Sequence, residues 1–279
     1  MLEAVLDGLI DSLKLLPFLF LTYLLMEYIE DKIEDKTRAV LNKSGAIGPL
    51  FGGLFGVIPQ CGFSAAASSL YAGRVITMGT LIAIYLSTSD EMLPILISQA
   101  VSPVIIGKIL GLKALIGMLV GFIVDRFCKK AEMVDIHHFC EHENCECGHG
   151  ILRPAVKHTV KIFVFILIIT VVLNMVVRVV GLESLSGSVL NRPVIGAILS
   201  GLVGLIPNCG ASVVITSLYL GGALSFGTMM AGLLVGAGVG VLVLLRVNEN
   251  KKENLIIIGI LYLSGVLAGI LINLIGISL

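Results

Sequence analysis

The chain has 279 residues, 57% of them hydrophobic and only 14% charged, and its formal net charge is zero. A soluble domain carries about 25% charged residues, so the composition excludes an ordinary water-soluble protein and points to a chain solvated by lipid. Zero net charge identifies no partner beyond the bilayer; no nucleic acid is expected, and a homodimer is left open.

The first fourteen residues, MLEAVLDGLIDSLK, are acidic and lack a basic n-region and a small-residue cleavage site, so the first apolar segment is expected to stay as a helix. Apolar runs at 9–29, 103–124, 158–180 and 255–277 approach or exceed the roughly 20 residues that cross hydrocarbon. In chain order the first half reads as helix A (9–29), segments B (about 45–59) and C (62–73), helix D (76–98) and helix E (102–124). After helix A, Glu27, Glu30, Asp31, Glu34 and Asp35 alternate with bases, the pattern of a solvated helical face. A polar linker over 126–155 leads to A (157–179), B (193–207), C (210–221), D (224–246) and E (254–277) of the second half.

The halves are copies of one unit. Residues 52–80 align without gaps on 200–228 with fourteen of 29 pairs identical, among them Pro59/Pro207, Cys61/Cys209, Gly62/Gly210, Ser64/Ser212 and Tyr71/Tyr219. Weaker similarity pairs 11–18 with 158–165 and 104–119 with 256–271, which sets Lys108 opposite Ile260 and Lys113 opposite Gly265. The units are therefore a first transmembrane repeat (1–125), a Cys/His-rich linker (126–155) and a second transmembrane repeat (156–279). Segments B and C are short, small-residue-rich and broken by proline. Irregular backbone at membrane depth survives only when buried in protein or lining a cavity, so B–C is expected to be a re-entrant hairpin tipped by Pro-x-Cys-Gly, with two full spans as the alternative.

Each half then crosses three times, or five if B and C span; both counts are odd, so the second copy is inverted. Thirteen basic residues fall on one side, from Lys32 through Arg126, Lys130 and Arg153 to Arg246 and Lys252, against Arg178 and Arg192 on the other. The positive-inside rule places both termini outside and the linker in the cytoplasm. The expected fold is all-α and polytopic: two inverted repeats, each with three long helices and a broken or re-entrant helical hairpin, a recurring transporter design.

Three features carry chemistry. The tips offer Gln60, Cys61 and Ser64 in one half and Asn208, Cys209 and Ser212 in the other. A helix N-terminus favours the thiolate of a cysteine placed there, and thiolate selects soft ions such as Cu(I), Zn(II) or trivalent arsenic; the plainer reading, a small buried hydrophobe, does not explain the recurrence of the motif. Helix D carries Ser87-Thr88-Ser89-Asp90-Glu91 where the second half has an uncharged Val-Gly-Ala-Gly run. Acids within a span serve ion pathways or relays, and counting from the D–E turn sets Asp90 and Glu91 level with Lys108, within reach of an ion pair for coupling or gating. The plainer reading is an external loop with solvated acids. The linker gathers His137, His138, Cys140, His142, Cys145, Cys147 and His149 within thirteen residues; in a reducing cytoplasm these favour metal capture over disulfides, in a spacing that matches no standard zinc pattern.

Catalysis is not expected: no GxSxG, no HExxH and no CxxC pair in an apolar segment occurs. The absence of GxxxxGK[ST] leaves transport passive or ion-coupled unless a partner supplies energy, and no cofactor is required beyond a transported or linker-bound metal ion. With PQCGFS at 59–64, PNCGAS at 207–212, ten apolar segments and a Cys/His-rich middle, the chain resembles the prokaryotic ten-transmembrane heavy-metal exporters, a family also named for arsenic efflux or manganese transport, and more distantly the organoarsenical permeases. The resemblance implies an inner-membrane exporter of a metal or metalloid with Cys61 and Cys209 as motif positions. The residues themselves support a secondary transporter for a thiophilic ion, and leave open a permease for a sulfur-containing anion such as thiosulfate, or a metal-sensing membrane protein that moves nothing. Manganese, which prefers oxygen ligands, would shift emphasis to Asp90, Glu91, Gln60 and Asn208.

Overall fold

The computed structural model describes residues 16–17, 20–21, 24, 47–57, 61–89, 92–128, 156–157, 159–165, 167–168, 171 and 193–277. Among them every regular element is helical. In chain order they are α1 (Gly48–Gly56), α2 (Cys61–Ala72), α3 (Met78–Ser87), α4 (Met92–Ser98), α5 (Pro103–Phe127), α6 (Pro193–Gly204), α7 (Cys209–Leu220), α8 (Phe226–Val235), α9 (Val239–Val247) and α10 (Lys251–Ile275). Isolated helical residues between 16 and 24 and between 156 and 171 belong to the two A segments.

Local chemistry sets the helix ends. Thr77 and Ser225 cap α3 and α8 by accepting from the backbone N–H of Thr80 and Thr228, which satisfies donors that the first turn leaves orphaned. Proline opens α5, where its missing N–H is not needed, and Gly276 closes α10 in the left-handed region at φ 74°. At 25 residues each, α5 and α10 measure about 37 Å, enough for a hydrocarbon core of about 30 Å. Among the described residues four stretches are long and apolar enough to cross a membrane: α3 with α4, α5, α8 with α9, and α10.

A single offset of 148 residues matches the helix bounds of the two halves: α2 with α7, α3 with α8, α5 with α10. The contacts agree. Gly79 crosses Gly121 and Gly227 crosses Gly269, each so close that an added Cβ would lie 2.1–2.5 Å from the partner's backbone oxygen. Asp125 accepts from the Gly79 N–H (2.8 Å) and the Thr77 hydroxyl (2.6 Å), and Asn273 accepts from the Ser225 hydroxyl (2.9 Å). This corrects the pairing of helix E by one helical turn: Lys113 stands opposite Leu261 rather than Gly265, and Lys108 opposite Ile256 rather than Ile260.

Helix D, expected as one piece, is interrupted at the same place in both copies. In the first half the Ser87 hydroxyl donates back to Ala83 O (2.8 Å) and the Thr88 hydroxyl to Ile84 O (2.7 Å), side-chain bonds that compete with the helix ladder. In the second half Gly236, Ala237 and Gly238 stand there, Gly238 with φ 54° and ψ −139°, a conformation open essentially to glycine.

These interrupted helices form the centre. Residues Leu81–Leu86 and Met229–Leu234 are buried on every side, as a helix enclosed by others must be. Around them α1, α3 and α5 pack as one three-helix group and α6, α8 and α10 as its counterpart. The outer helices α5 and α10 leave Leu115, Leu119, Phe122, Leu263, Leu267 and Leu271 exposed, rows at helical spacing that suit lipid. The halves also exchange segments: α2 packs on α9 and α7 on α4. Phe20, Leu24 and Phe165 of the A segments cover the α2–α9 pair. The two D helices run antiparallel. Arg74, just before α3, pairs with Glu253, just after α9, at 2.9 Å, and Tyr85 in α3 reaches Gly240 in α9 (3.2 Å).

Candidate functional site

Both Pro-x-Cys-Gly cysteines open a helix: Cys61 is the first residue of α2 and Cys209 the first of α7. Asn208 caps α7, its Oδ1 accepting from the Gly210 N–H at 3.0 Å, and is buried. Twelve residues make a helix of about 18 Å, so α2, α6 and α7 each fall short of the membrane thickness. Residues 58–60, which include Gln60, and the cysteine side chains lie outside what is described.

On α2 the spacing i, i+3, i+7 sets Cys61, Ser64 and Ser68 on one stripe. The lower part of that stripe meets α9. Ser64 is fully buried, and a Cβ placed on Gly240 would stand 2.8 Å from the Ser64 Cβ and 3.0 Å from its carbonyl. The Ser68 hydroxyl lies 2.7 Å from Tyr85 Oη, 2.7 Å from Gly240 O and 2.7 Å from Ser64 O. Two hydroxyl protons are thus shared among the two carbonyls and the Ser68–Tyr85 contact, each hydroxyl with a carbonyl in reach, a network that joins α2 and α3 of one half to α9 of the other. The helices α2 and α9 are parallel: Ser64 meets Gly240 near their starts, and Tyr71 donates to Glu253 (3.3 Å) beyond their ends.

The equivalent stripe in the second half is Cys209, Ser212 and Thr216. Here Leu233 replaces Tyr85, and Thr216, 0% exposed, has a hydroxyl without a hydrogen-bond partner. Ser212 is half-buried on the same helix.

At the interruption of the first half, Ser87, Thr88 and Ser89 are buried. Asp90 and Glu91, next in sequence, lie outside the described residues. The buried cation beside this break is Lys113, 1% exposed, whose Nζ donates to Thr88 O and, at 2.8 Å, to Leu233 O of the opposite half. Lys108 is exposed on α5; five residues turn the helix by about 140°, which separates the two lysines. Sequence reasoning chose Lys108 as the partner of the acids, noted Lys113 as a charge confined to the first half, and passed over Ser68, Tyr85 and Gly240. A signal was available for Ser68, because it continues the Cys61–Ser64 spacing by one more turn.

The linker ligands His137, His138, Cys140, His142, Cys145, Cys147 and His149 all lie outside the described residues. Among the described residues no group of three or more His, Cys, Asp or Glu gathers. Cys128 follows α5 as a half-buried free thiol.

A family model described as "Putative, 10TM heavy-metal exporter" matches residues 2–189 and 182–278. No curated protein matches the chain, and no solved structure does.

Proposed function

We propose a transport mechanism from one premise: this chain belongs to the ten-transmembrane heavy-metal exporter family. In this mechanism it is a secondary transporter that exports a thiophilic metal or metalloid ion, bound between the two halves by the Cys61 and Cys209 tips. The observation that carries the reading is the reciprocal exchange, α2 against α9 and α7 against α4, which brings each cysteine-headed half-helix to the interrupted helix of the other repeat. Half-helices meeting at a midplane are where transporters hold substrate. Support for inversion comes from the Arg74–Glu253 pair: the start of one D helix meets the end of the other, as antiparallel copies require. The 18 Å helices support re-entrant hairpins.

In this scheme the cytoplasmic linker collects the ion and passes it to the thiols, with Gln60, Asn208, Ser64 and Ser212 completing the lining. Asp90 and Glu91 couple protons or relay cations, and rocking of one three-helix group against the other alternates access. The test is flux into proteoliposomes over a panel of Cu(I), Zn(II), Mn(II) and trivalent arsenic, for the native protein and a Cys61→Ser/Cys209→Ser variant. Flux of a soft ion that the double variant lacks supports the scheme; no flux of any ion, or flux indifferent to both cysteines, refutes it. The thiosulfate reading is favoured by the helix N-termini at both tips. Deleting 137–149 separates the two, since it slows soft-ion export and leaves anion uptake unchanged.

A further inference from the structure

Lys113 has no part in the scheme above, yet its position is unusual. Burying an ammonium is costly before compensation, and the equivalent site in the second half holds Leu261, so packing alone does not call for a lysine. Its Nζ sits at two helix ends: Thr88 is the C-cap of α3, and Leu233 lies in the last turn of α8. Such ends carry partial negative charge, and in transporters with broken helices the half-helix C-termini and unwound carbonyls are where a small coupling cation sits. One carbonyl comes from each half.

We infer that the Lys113 ammonium is a resident cation, occupying a latent monovalent-cation site formed by the Thr88 and Leu233 carbonyls at the crossing of the two interrupted helices. The native protein therefore needs neither Na⁺ nor K⁺ to hold its halves together or to transport. Shortening Lys113 uncovers the site for a small cation from solution. The ligand class is a monovalent cation of the size of Na⁺ or methylammonium, bound by carbonyl oxygens. The transport part of this inference rests on the function proposed above; the binding part does not.

The test uses purified full-length protein, native and Lys113→Ala, melted in choline, Na⁺, K⁺ and methylammonium chloride at equal ionic strength. The native protein is expected to melt at one temperature in all four salts. The variant is expected to melt lower in choline and to regain about 4 °C at saturating Na⁺ or methylammonium, with flux recovering about tenfold in the same salt. A variant indifferent to every cation overturns the inference. So does a Lys113→Met variant, similar in length and uncharged, that melts and transports like the native protein. Should the alanine variant not fold in choline, recovery of folded protein in Na⁺ or methylammonium supports the inference and failure in both overturns it. The melting readout stands even if no ion is transported, so its failure is distinguishable from failure of the transport scheme.

Discussion

Replacing Gly240 by alanine probes the exchange of segments between the halves. The new methyl would stand 2.8 Å from the Ser64 Cβ, against 3.4 Å for the nearest ordinary contact, and the obstacle is backbone and a short side chain rather than a flexible tip. The α2–α9 pair must open by about 0.6 Å, which stretches the 2.7 Å Ser68–Gly240 bond beyond the usual range for a hydroxyl donor. Overpacking of this kind costs about 1–3 kcal/mol, and weakening a buried hydrogen bond adds about 1 kcal/mol. With about 2–4 °C per kcal/mol in chains of this size, the midpoint should fall by about 10 °C in detergent. Gly111→Ala and Gly259→Ala are the controls: an added Cβ there meets nothing within 4 Å, and better helix propensity predicts a neutral to slightly raised midpoint. If Gly240→Ala melts with its controls and transports normally, the packing of α2 on α9 is wrong.

Ser68→Ala should lower the midpoint by a few degrees because it removes the 2.7 Å bonds to Tyr85 and Gly240 O and leaves only the longer 3.2 Å Tyr85–Gly240 bond, whereas Thr216→Val removes a buried hydroxyl that has no partner and should be neutral or stabilising by about 1 kcal/mol; equal effects would refute the asymmetry. Arg74 and Glu253, 16% and 20% exposed, tie the two halves, and a double-mutant cycle with Arg74→Ala and Glu253→Gln should give a coupling of about 1–2 kcal/mol; zero coupling would make the pair incidental. Deleting 137–149 should lower the rate of soft-ion export at low cytoplasmic ion concentration and spare it at saturation, measured as a rise in KM with kcat unchanged; an unchanged KM would remove the linker from the path.

Much of the architecture was legible because lipid imposes simple rules. The apolar runs at 103–124 and 255–277 became the 25-residue helices α5 and α10, those at 9–29 and 158–180 lie mostly outside the described residues, and the Pro-x-Cys-Gly repeat located two short helices that begin at Cys61 and Cys209. Helix E was misregistered by a turn because apolar residues recur at helical spacing, so a shift of four still scores well. The reliable marker was polar: Asp125 and Asn273 each meet the capping hydroxyl, Thr77 or Ser225, of their own half. The break in helix D had two different chemical signatures, hydroxyls at 87–89 and glycines at 236 and 238, so comparison of the halves did not reveal a shared feature. Lys108 and Lys113 looked alike in sequence, and only packing distinguishes the buried one. The exchange of α2 and α7 between halves depends on long-range contacts that periodicity does not encode.

The central claim is that the two cysteine tips form one site rather than two. Equilibrium binding of trivalent arsenic or Cu(I) to protein lacking 137–149 tests it most directly, comparing the parent with Cys61→Ser and Cys209→Ser. One ion per chain, lost in either single variant, is the predicted result; binding that survives each single substitution, or two independent sites each lost with its own cysteine, would contradict it.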